Sequence, residues 1–512
     1  MSKHLLLVAC AFAAGIGARA QKTPDPVPFA KTITTTDLQK HLSIIASAEM
    51  EGRNTPSPGL EKAAQYIESQ FKAFGLKAGN NGSFRQYYDL EKDSATAMSL
   101  NMGGANFTAW TDFAPFLQMP QQADLKFSEY VFVGYGIVDA NRDDYKNVDV
   151  NGKLVVLLNG QPEGFKTDLP RRQSPVFIIN KIANAQKKGA AAVLIASELL
   201  PSKQMMSNSY RPKPATATRE ESAALPVFYI NDNIVSKSGQ TIKSIKEMLG
   251  NNVIDPMVRQ IDVAISYASG KKVETVSNVI GMVEGSDKKD EYLFVTAHYD
   301  HIGISPDGRI NYGADDDGSG TVAVIKMAQA FAAAKKAGKG PRRTVVFMTV
   351  SGEEKGLWGS EYYSENPVFP LDKTTADLNI DMIGRIDTER MTADTQNYVY
   401  VIGHDKLSTD LQPINEGANN KYTKLVLDYK FDDPNDPNRI YYRSDHYNFA
   451  RKGVPILFFY DGMLQADYHK PTDTIDKINF PLLAKRAQMI FYTAWEMANR
   501  EEMLKRDLKL TQ

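Results

Sequence analysis

The chain has almost no cysteine: Cys10 is the only one in 512 residues. One thiol excludes an intrachain disulfide. It also removes thiolate clusters from consideration, so a metal site would have to use His, Asp and Glu. Neither charge is in excess, with 60 Lys+Arg against 61 Asp+Glu. That balance argues against a protein built around nucleic acid or an anionic membrane surface. Long apolar runs are missing too. The nearest to one is the 14-residue stretch Leu5–Ala18, short of the ~20 helical residues that span a bilayer. Internal repeats and low-complexity tracts are absent. What remains is ordinary globular material, 42% hydrophobic and 24% charged, long enough for two to four domains at about 150 residues each.

The first residues read as an export signal. Lys3 and His4 precede the apolar stretch, and Ala18-Arg19-Ala20 follows it as a small-x-small cleavage pattern. Residues 1–20 are thus expected to be removed, leaving a cysteine-free chain from Gln21 that is exported to the periplasm or the extracellular space. Leu7-Val8-Ala9-Cys10 resembles a lipoprotein cleavage box. Only five apolar residues precede that cysteine, fewer than the usual 7–15, so lipid anchoring through Cys10 is the minor reading.

Local patterns suggest the architecture. Residues 21–33 are Pro- and Thr-rich and read as extended. Leu38, Leu42 and Ile45 have helical spacing behind Thr36 or Asp37 as a cap. Leu60, Ala64, Ile67, Phe71 and Phe74 share a second helical face that Gly75 ends. Glu51-Gly52-Arg53-Asn54 between them reads as a polar turn. From 120 to 262 short β-rich runs appear at 129–138, 153–158, 191–196 and 225–230, with a helix at 178–188 and a long polar loop at 200–222. This region reads as an inserted module, dividing the chain into 1–20, 21–119, 120–262 and 263–512. After 272, apolar strands at 276–283, 292–297, 344–350, 378–382, 398–402 and 455–459 alternate with helices such as 320–336 and 482–500. Such alternation predicts an α/β fold, a mixed and mostly parallel sheet with helices on both faces.

Ligands of open α/β sheets bind beyond the carboxyl ends of the strands. Those ends are rich in acids and histidine here: His298-Tyr299-Asp300-His301, Ser351-Gly352-Glu353-Glu354, Asp381, and Tyr468-His469-Lys470-Pro471. Gly313-Ala314-Asp315-Asp316-Asp317-Gly318-Ser319-Gly320 lies between the first two, just before a helix. So many carboxylates cannot share one edge without a counter-charge, and no matching run of Lys or Arg is nearby. A divalent cation, or better a pair, supplies it. Imidazole and carboxylate ligands suit Zn²⁺, Mn²⁺ or Co²⁺. Neighbouring glutamates point apart, so one of Glu353 and Glu354 can bind metal while the other handles a proton. The spacing and terminal Glu of a calcium EF-hand are absent.

Taken together, His298-x-Asp300, Gly-Ala-x-Asp316-Asp317-x-Ser-Gly, Glu353-Glu354, Asp381-Met-Ile-Gly and Tyr-His469-x-Pro-x-Asp473-Thr resemble the M28 family of zinc aminopeptidases. The likeness covers about 35–85 and 270–500, and the 120–262 module resembles the protease-associated (PA) domain inserted in many of those enzymes. The resemblance implies two Zn²⁺ ions (Mn²⁺ or Co²⁺ as substitutes). Asp316 would bridge them, with His298 and Asp381 completing one site, and Glu354 and His469 the other. Glu353 would be the general base for a metal-bridging water, and Tyr441 would stabilise the oxyanion, with Tyr442 as the adjacent alternative. Asp300 and Asp317 would stand behind the ligands, Asp300 on the far nitrogen of His298, and the Asp316–Asp317 peptide would be cis. His41, His301, His404 and His446 read as structural. The implied activity is an exopeptidase acting on peptide N-termini, without nucleic acid or a membrane span. Carboxypeptidase, dipeptidase or glutaminyl-cyclase chemistry on the same scaffold, a metal-dependent phosphoesterase, and a non-catalytic binding protein are the alternatives.

Overall fold

A computed structural model describes residues 24–510 apart from 117–121, 141, 168, 170–172, 202–209, 214–224, 251–256 and 393. The expected signal peptide 1–20 with Cys10, the mature start at Gln21 and most of the 200–222 loop lie outside the described residues. The chain divides into two compact units: Tyr88–Thr275, and the flanking Met1–Tyr87 with Val276–Gln512.

In the flanking unit the sheet order is Val426–Asp428, Tyr398–Ile402, Ile456–Tyr460, Thr374–Ile380, Lys288–His298 and Arg343–Val350, then the C-terminal end of Met257–Val283 and Lys77–Ala78. The central pairings are parallel: Lys288–His298 with Arg343–Val350 and with Thr374–Ile380, and Thr374–Ile380 with Ile456–Tyr460. Antiparallel partners flank them. Arg343–Val350, Thr374–Ile380 and Ile456–Tyr460 are buried along their whole length and Lys288–His298 from Leu293 onward, which is why they read as continuous apolar runs rather than alternating ones.

Both faces of this sheet are covered. Phe294 packs against Tyr363 and Phe449. Phe347, paired in register with Val295, packs against Phe331. Adjacent strand positions point to opposite faces, so these aromatics mark two layers. The Phe331 face is built by the helices Gly318–Lys336 and Phe480–Asn499, joined through Phe331, Phe491 and Trp495. The second of these begins on an Asn479 cap, with Pro481 in its first turn. The helix Pro58–Phe74 is capped by the Ser57 side chain and ends at Gly75 (φ 80°), with Leu60, Ala64, Ile67 and Phe71 buried and Phe74 half-buried.

The Tyr88–Thr275 unit has its own sheet. The parallel strands Gln122–Phe132, Leu154–Leu158, Ala192–Ala196 and Val227–Ile230 lie side by side. Antiparallel Met257–Val283 and Phe113–Pro115 flank them. Its apolar core includes Phe113, Leu154, Ile195, Phe228 and Tyr267.

Several local expectations need correction. Val27–Ala30 is a helical turn rather than extended chain. Thr34, not Thr36 or Asp37, caps the helix Thr35–Ile45, accepting the Asp37 N–H. The compact unit begins at 88 and ends at 275, not at 120 and 262. The 18-residue strand Arg85–Met102 and the 27-residue strand Met257–Val283 run through both of its limits, so no turn or break in composition marks them.

Trp495 is fully buried, ringed by Phe29, Phe331 and Phe491, with its indole N–H donating to the Pro24 carbonyl. Trp495→Ala should lower stability by about 3–5 kcal/mol, read as a fall in denaturant midpoint.

Candidate metal centre

Five sequence elements bring their polar ends together above the parallel strands. His298 ends the strand Lys288–His298, and Asp381 follows directly on Thr374–Ile380. Glu353 and Glu354 sit in the 3-10 turn after Arg343–Val350. Asp316 precedes the helix Gly318–Lys336, whose cap is Asp317. His469 lies in a loop at φ 57°.

Asp316 stands between two histidines. Asp316 Oδ1 is 3.3 Å from His298 Nε2, while its Oδ2 is 3.2 Å from His469 Nε2. The two oxygens of one carboxylate thus face two imidazoles. On the first side Asp381 Oδ1 is 3.6 Å from His298 Nε2. On the second, Glu354 Oε2 is 2.8 Å from His469 Nε2. Glu353 Oε2 lies 3.9 Å from His298 Nε2. His298 Nε2 and Asp316 Oδ2 are buried without a hydrogen-bond partner, which is costly unless something else fills the coordination. The donor set is nitrogen and oxygen alone, and it fits two divalent cations of the zinc, manganese or cobalt class.

Electrostatics support that fit. Burial opposes a charge on Asp316, yet His298 and His469 hold its carboxyl well below the usual range. Burial likewise opposes a charged His469, but Asp316 and Glu354 push it up to about 10. Burial, and then the charges of Glu354, Asp381 and Asp445, outweigh His298 and drive Glu353 well above the usual carboxyl range. Either protons on the imidazoles or divalent cations must balance these acids, and cation binding would displace those protons.

A second layer fixes the first. Ser444 Oγ donates to Asp381 Oδ2 at 2.6 Å and accepts from the Asn379 amide at 2.9 Å. Asp317 Oδ1 accepts the Gly320 and Met382 N–H groups. The Asp473 carboxylate accepts those of Asp315 and Asp316. The fully buried Arg53 donates to the carbonyls of Ile45, Tyr299, Tyr312 and Gly313 at 2.7–2.8 Å. It spends its charge on backbone around the site, not on the cluster carboxylates. Thr55 donates to Asp300 Oδ2 at 3.0 Å and accepts the Gly352 N–H, while Asp300 Oδ1 accepts the Glu353 N–H at 3.2 Å.

The structure thus unites His298, Asp316, Glu353, Glu354, Asp381 and His469, with Asp317 behind them, and the Asp316–Asp317 peptide is cis. Asp300 departs from expectation. His298 Nδ1 lies 3.2 Å from the Asp300 backbone carbonyl and 3.6 Å from its carboxylate, because Thr55 and the Glu353 N–H occupy the carboxylate. Tyr441 is not in the cluster. Its ring packs on Tyr442, His446 and Tyr447 under the Lys406 ammonium. Burial, then Asp432 and Asp405 among its neighbours, keeps its phenol protonated. The phenol beside the cluster is that of Tyr468: it stacks on His469 with ring centroids 3.8 Å apart, and Arg443 donates to its hydroxyl at 3.0 Å. Burial and the charges of Asp316 and Glu354 raise its phenol. The Tyr-His dipeptide was the available signal. His301 also belongs to the cluster, with Nδ1 2.8 Å from Glu354 Oε1; its signal was its place in the His-Tyr-Asp-His run.

Comparison with known proteins places this geometry. Residues 278–494 match the family model for peptidase family M28. A protein of Arthroderma benhamiae named "Probable leucine aminopeptidase" is 29% identical over 255 residues, 47% of this chain and 65% of that protein. An aminopeptidase of Bacillus subtilis is 25% identical over 245 residues, 45% of this chain and 46% of its own. The chain therefore spans less than two thirds of these relatives. Among solved structures, an aminopeptidase from Aneurinibacillus shares the fold at TM-score 0.54 and 19% identity, covering 95% of this chain and all of that one. A zinc aminopeptidase from Bacillus subtilis does so at TM-score 0.53 and 19% identity, covering 93% and 99%.

Ser444→Ala removes the donor that orients Asp381. It should weaken Zn²⁺ binding by about 10–100-fold in chelator competition, with an unchanged circular dichroism spectrum.

Proposed function

We propose that the chain, whose residues 278–494 match the family model for peptidase family M28, is an exported, dinuclear zinc aminopeptidase hydrolysing the N-terminal residues of peptides. The observation that carries this reading is Asp316, whose two oxygens each face a different histidine. The names of the relatives, leucine aminopeptidase and aminopeptidase, support the choice of peptide N-termini.

His298, Asp316, Glu354, Asp381 and His469 would hold the cations, which would supply a water of lowered pKa and polarise the substrate carbonyl. The remaining chemistry belongs to side chains. Glu353, beside His298 but outside the ligand pairs, takes a proton from the attacking water as its oxygen joins the scissile carbonyl carbon. It then delivers that proton to the amine nitrogen as the carbon–nitrogen bond breaks. Its burial among carboxylates favours holding the proton between these two events. The phenol of Tyr468, kept protonated by burial, donates a hydrogen bond to the developing oxyanion. Asp316, Glu354, Asp381, His298 and His469 hold the charges, and Ser444 and Asp317 fix their angles.

Export is supported by the apolar stretch and Ala18-Arg19-Ala20. Among the described residues, no helix is long and apolar enough to cross a membrane. The inserted unit resembles a protease-associated domain by its place in the chain and its β-rich texture.

Glu353→Ala should retain Zn²⁺ while losing about 10²–10⁴-fold in turnover, measured on a fluorogenic aminoacyl panel beside elemental analysis. Wild-type turnover in that variant would refute the role. Asp316→Ala should lose both zinc equivalents. Activity on N-terminally blocked peptides equal to that on free ones would favour carboxypeptidase chemistry.

A further inference from the structure

We propose that His301 is a positioning residue for the second cation subsite, holding one oxygen of Glu354 so that the other faces His469 and Asp316. The inference rests on the dinuclear reading above and adds a residue to it.

The two oxygens of Glu354 are divided between two imidazoles. Oε1 is 2.8 Å from His301 Nδ1, and Oε2 is 2.8 Å from His469 Nε2. Glu354 is nearly inaccessible, its side chain 2% exposed. A buried carboxylate oxygen without a donor is costly and free to rotate toward another partner. With His301 donating to Oε1, rotation of the carboxylate breaks that bond, so Oε2 stays aimed at His469 and Asp316. His301 makes no other side-chain hydrogen bond among the described residues, and its Nε2 is buried and unpartnered.

The surroundings preserve this ring position. The His301 N–H donates to the Arg53 carbonyl at 3.2 Å, and Asn54 forms a bridge with His301. Arg53 itself holds the carbonyls of Tyr299 and Gly313. Gly313 leaves space for the imidazole. A Cβ there would come within 2.6 Å of His301 Cγ and 2.7 Å of Cδ2, and its φ of +57° disfavours a side chain in any case. The ring also meets His469 edge-on, with centroids 5.8 Å apart. His301 Nδ1 is 3.7 Å from Asp316 Oδ2, farther than from Glu354, so orientation of Glu354 is its closer task.

The test titrates the chelator-stripped full chain with Zn²⁺ alone and resolves the two equivalents, with Co²⁺ absorption as a second signature of ligand geometry. His301→Ala should weaken the second equivalent by about 10–100-fold, alter the Co²⁺ spectrum of that equivalent, and leave the first unchanged. His301→Gln carries an N–H to the same oxygen and should recover much of the affinity. If His301→Ala does not fold, His301→Leu keeps the ring's bulk without its donor and should show the same loss. Unchanged affinity for both equivalents in the folded donor-less variant overturns the inference while leaving the dinuclear reading intact. Fewer than two equivalents in the wild-type chain overturns the dinuclear reading itself, and this inference with it.

Discussion

Mutual repulsion among buried carboxylates is the constraint on which the structure depends. Asp316, Glu353, Glu354, Asp381 and Asp445 converge on a small volume with two imidazoles close enough to share their charge and a third beside them. Left to itself, such a group would neutralise by taking up protons or would force its loops apart. The fold holds it together through the groups behind these acids. Asp317 and Asp473 accept backbone N–H groups from the loops they join, and Ser444 secures Asp381. Each such bond stabilises a carboxylate in its ionised form while fixing its direction. The charge that destabilises the cluster is thereby also what ties its loops together.

The same economy explains why the turn at 52–55 matters to a site more than 200 residues away. Each nitrogen of the Arg53 guanidinium donates to a carbonyl, so it adds positive charge near the acids without competing for the oxygens that face the histidines. Burial lowers the guanidinium's pKa, and Asp473, Asp300 and Asp316 oppose that effect. Thr55 then links Asp300 to the Gly352 turn that leads into Glu353. The Glu353 turn and the loop that follows His298 thus share one support.

Much of this could be read from the residues. The parallel strands are buried on both faces and therefore appear as unbroken apolar runs, and the ligands sit where those runs stop. His298, Glu353, Glu354 and Asp381 stood out because strand ends are marked locally, whereas Asp316 and His469 were singled out as ligands by the resemblance of the whole motif set. The two long strands were not: their burial alternates and fades along the chain, so no single stretch carries the pattern. Tyr441 and Tyr468 show a different limit. Which phenol stands beside the histidines is decided by loop packing, and the ring stack of Tyr468 on His469 has no counterpart in spacing. His301 was hidden for a similar reason, since its partner Glu354 lies 53 positions away.

The guanidinium of Arg53 has a bearing on how this protein is made. Its partners Tyr299 and Gly313 are 246 and 260 positions downstream, and the last histidine of the cluster comes later still. During vectorial synthesis the opening segment must remain available while 260 further residues emerge, including the whole of Tyr88–Thr275. That intervening unit is contiguous and can fold in the meantime. The cluster is therefore completed only once His469 has been made, and a nascent product that stops short of it would leave the acid-rich edge unfinished.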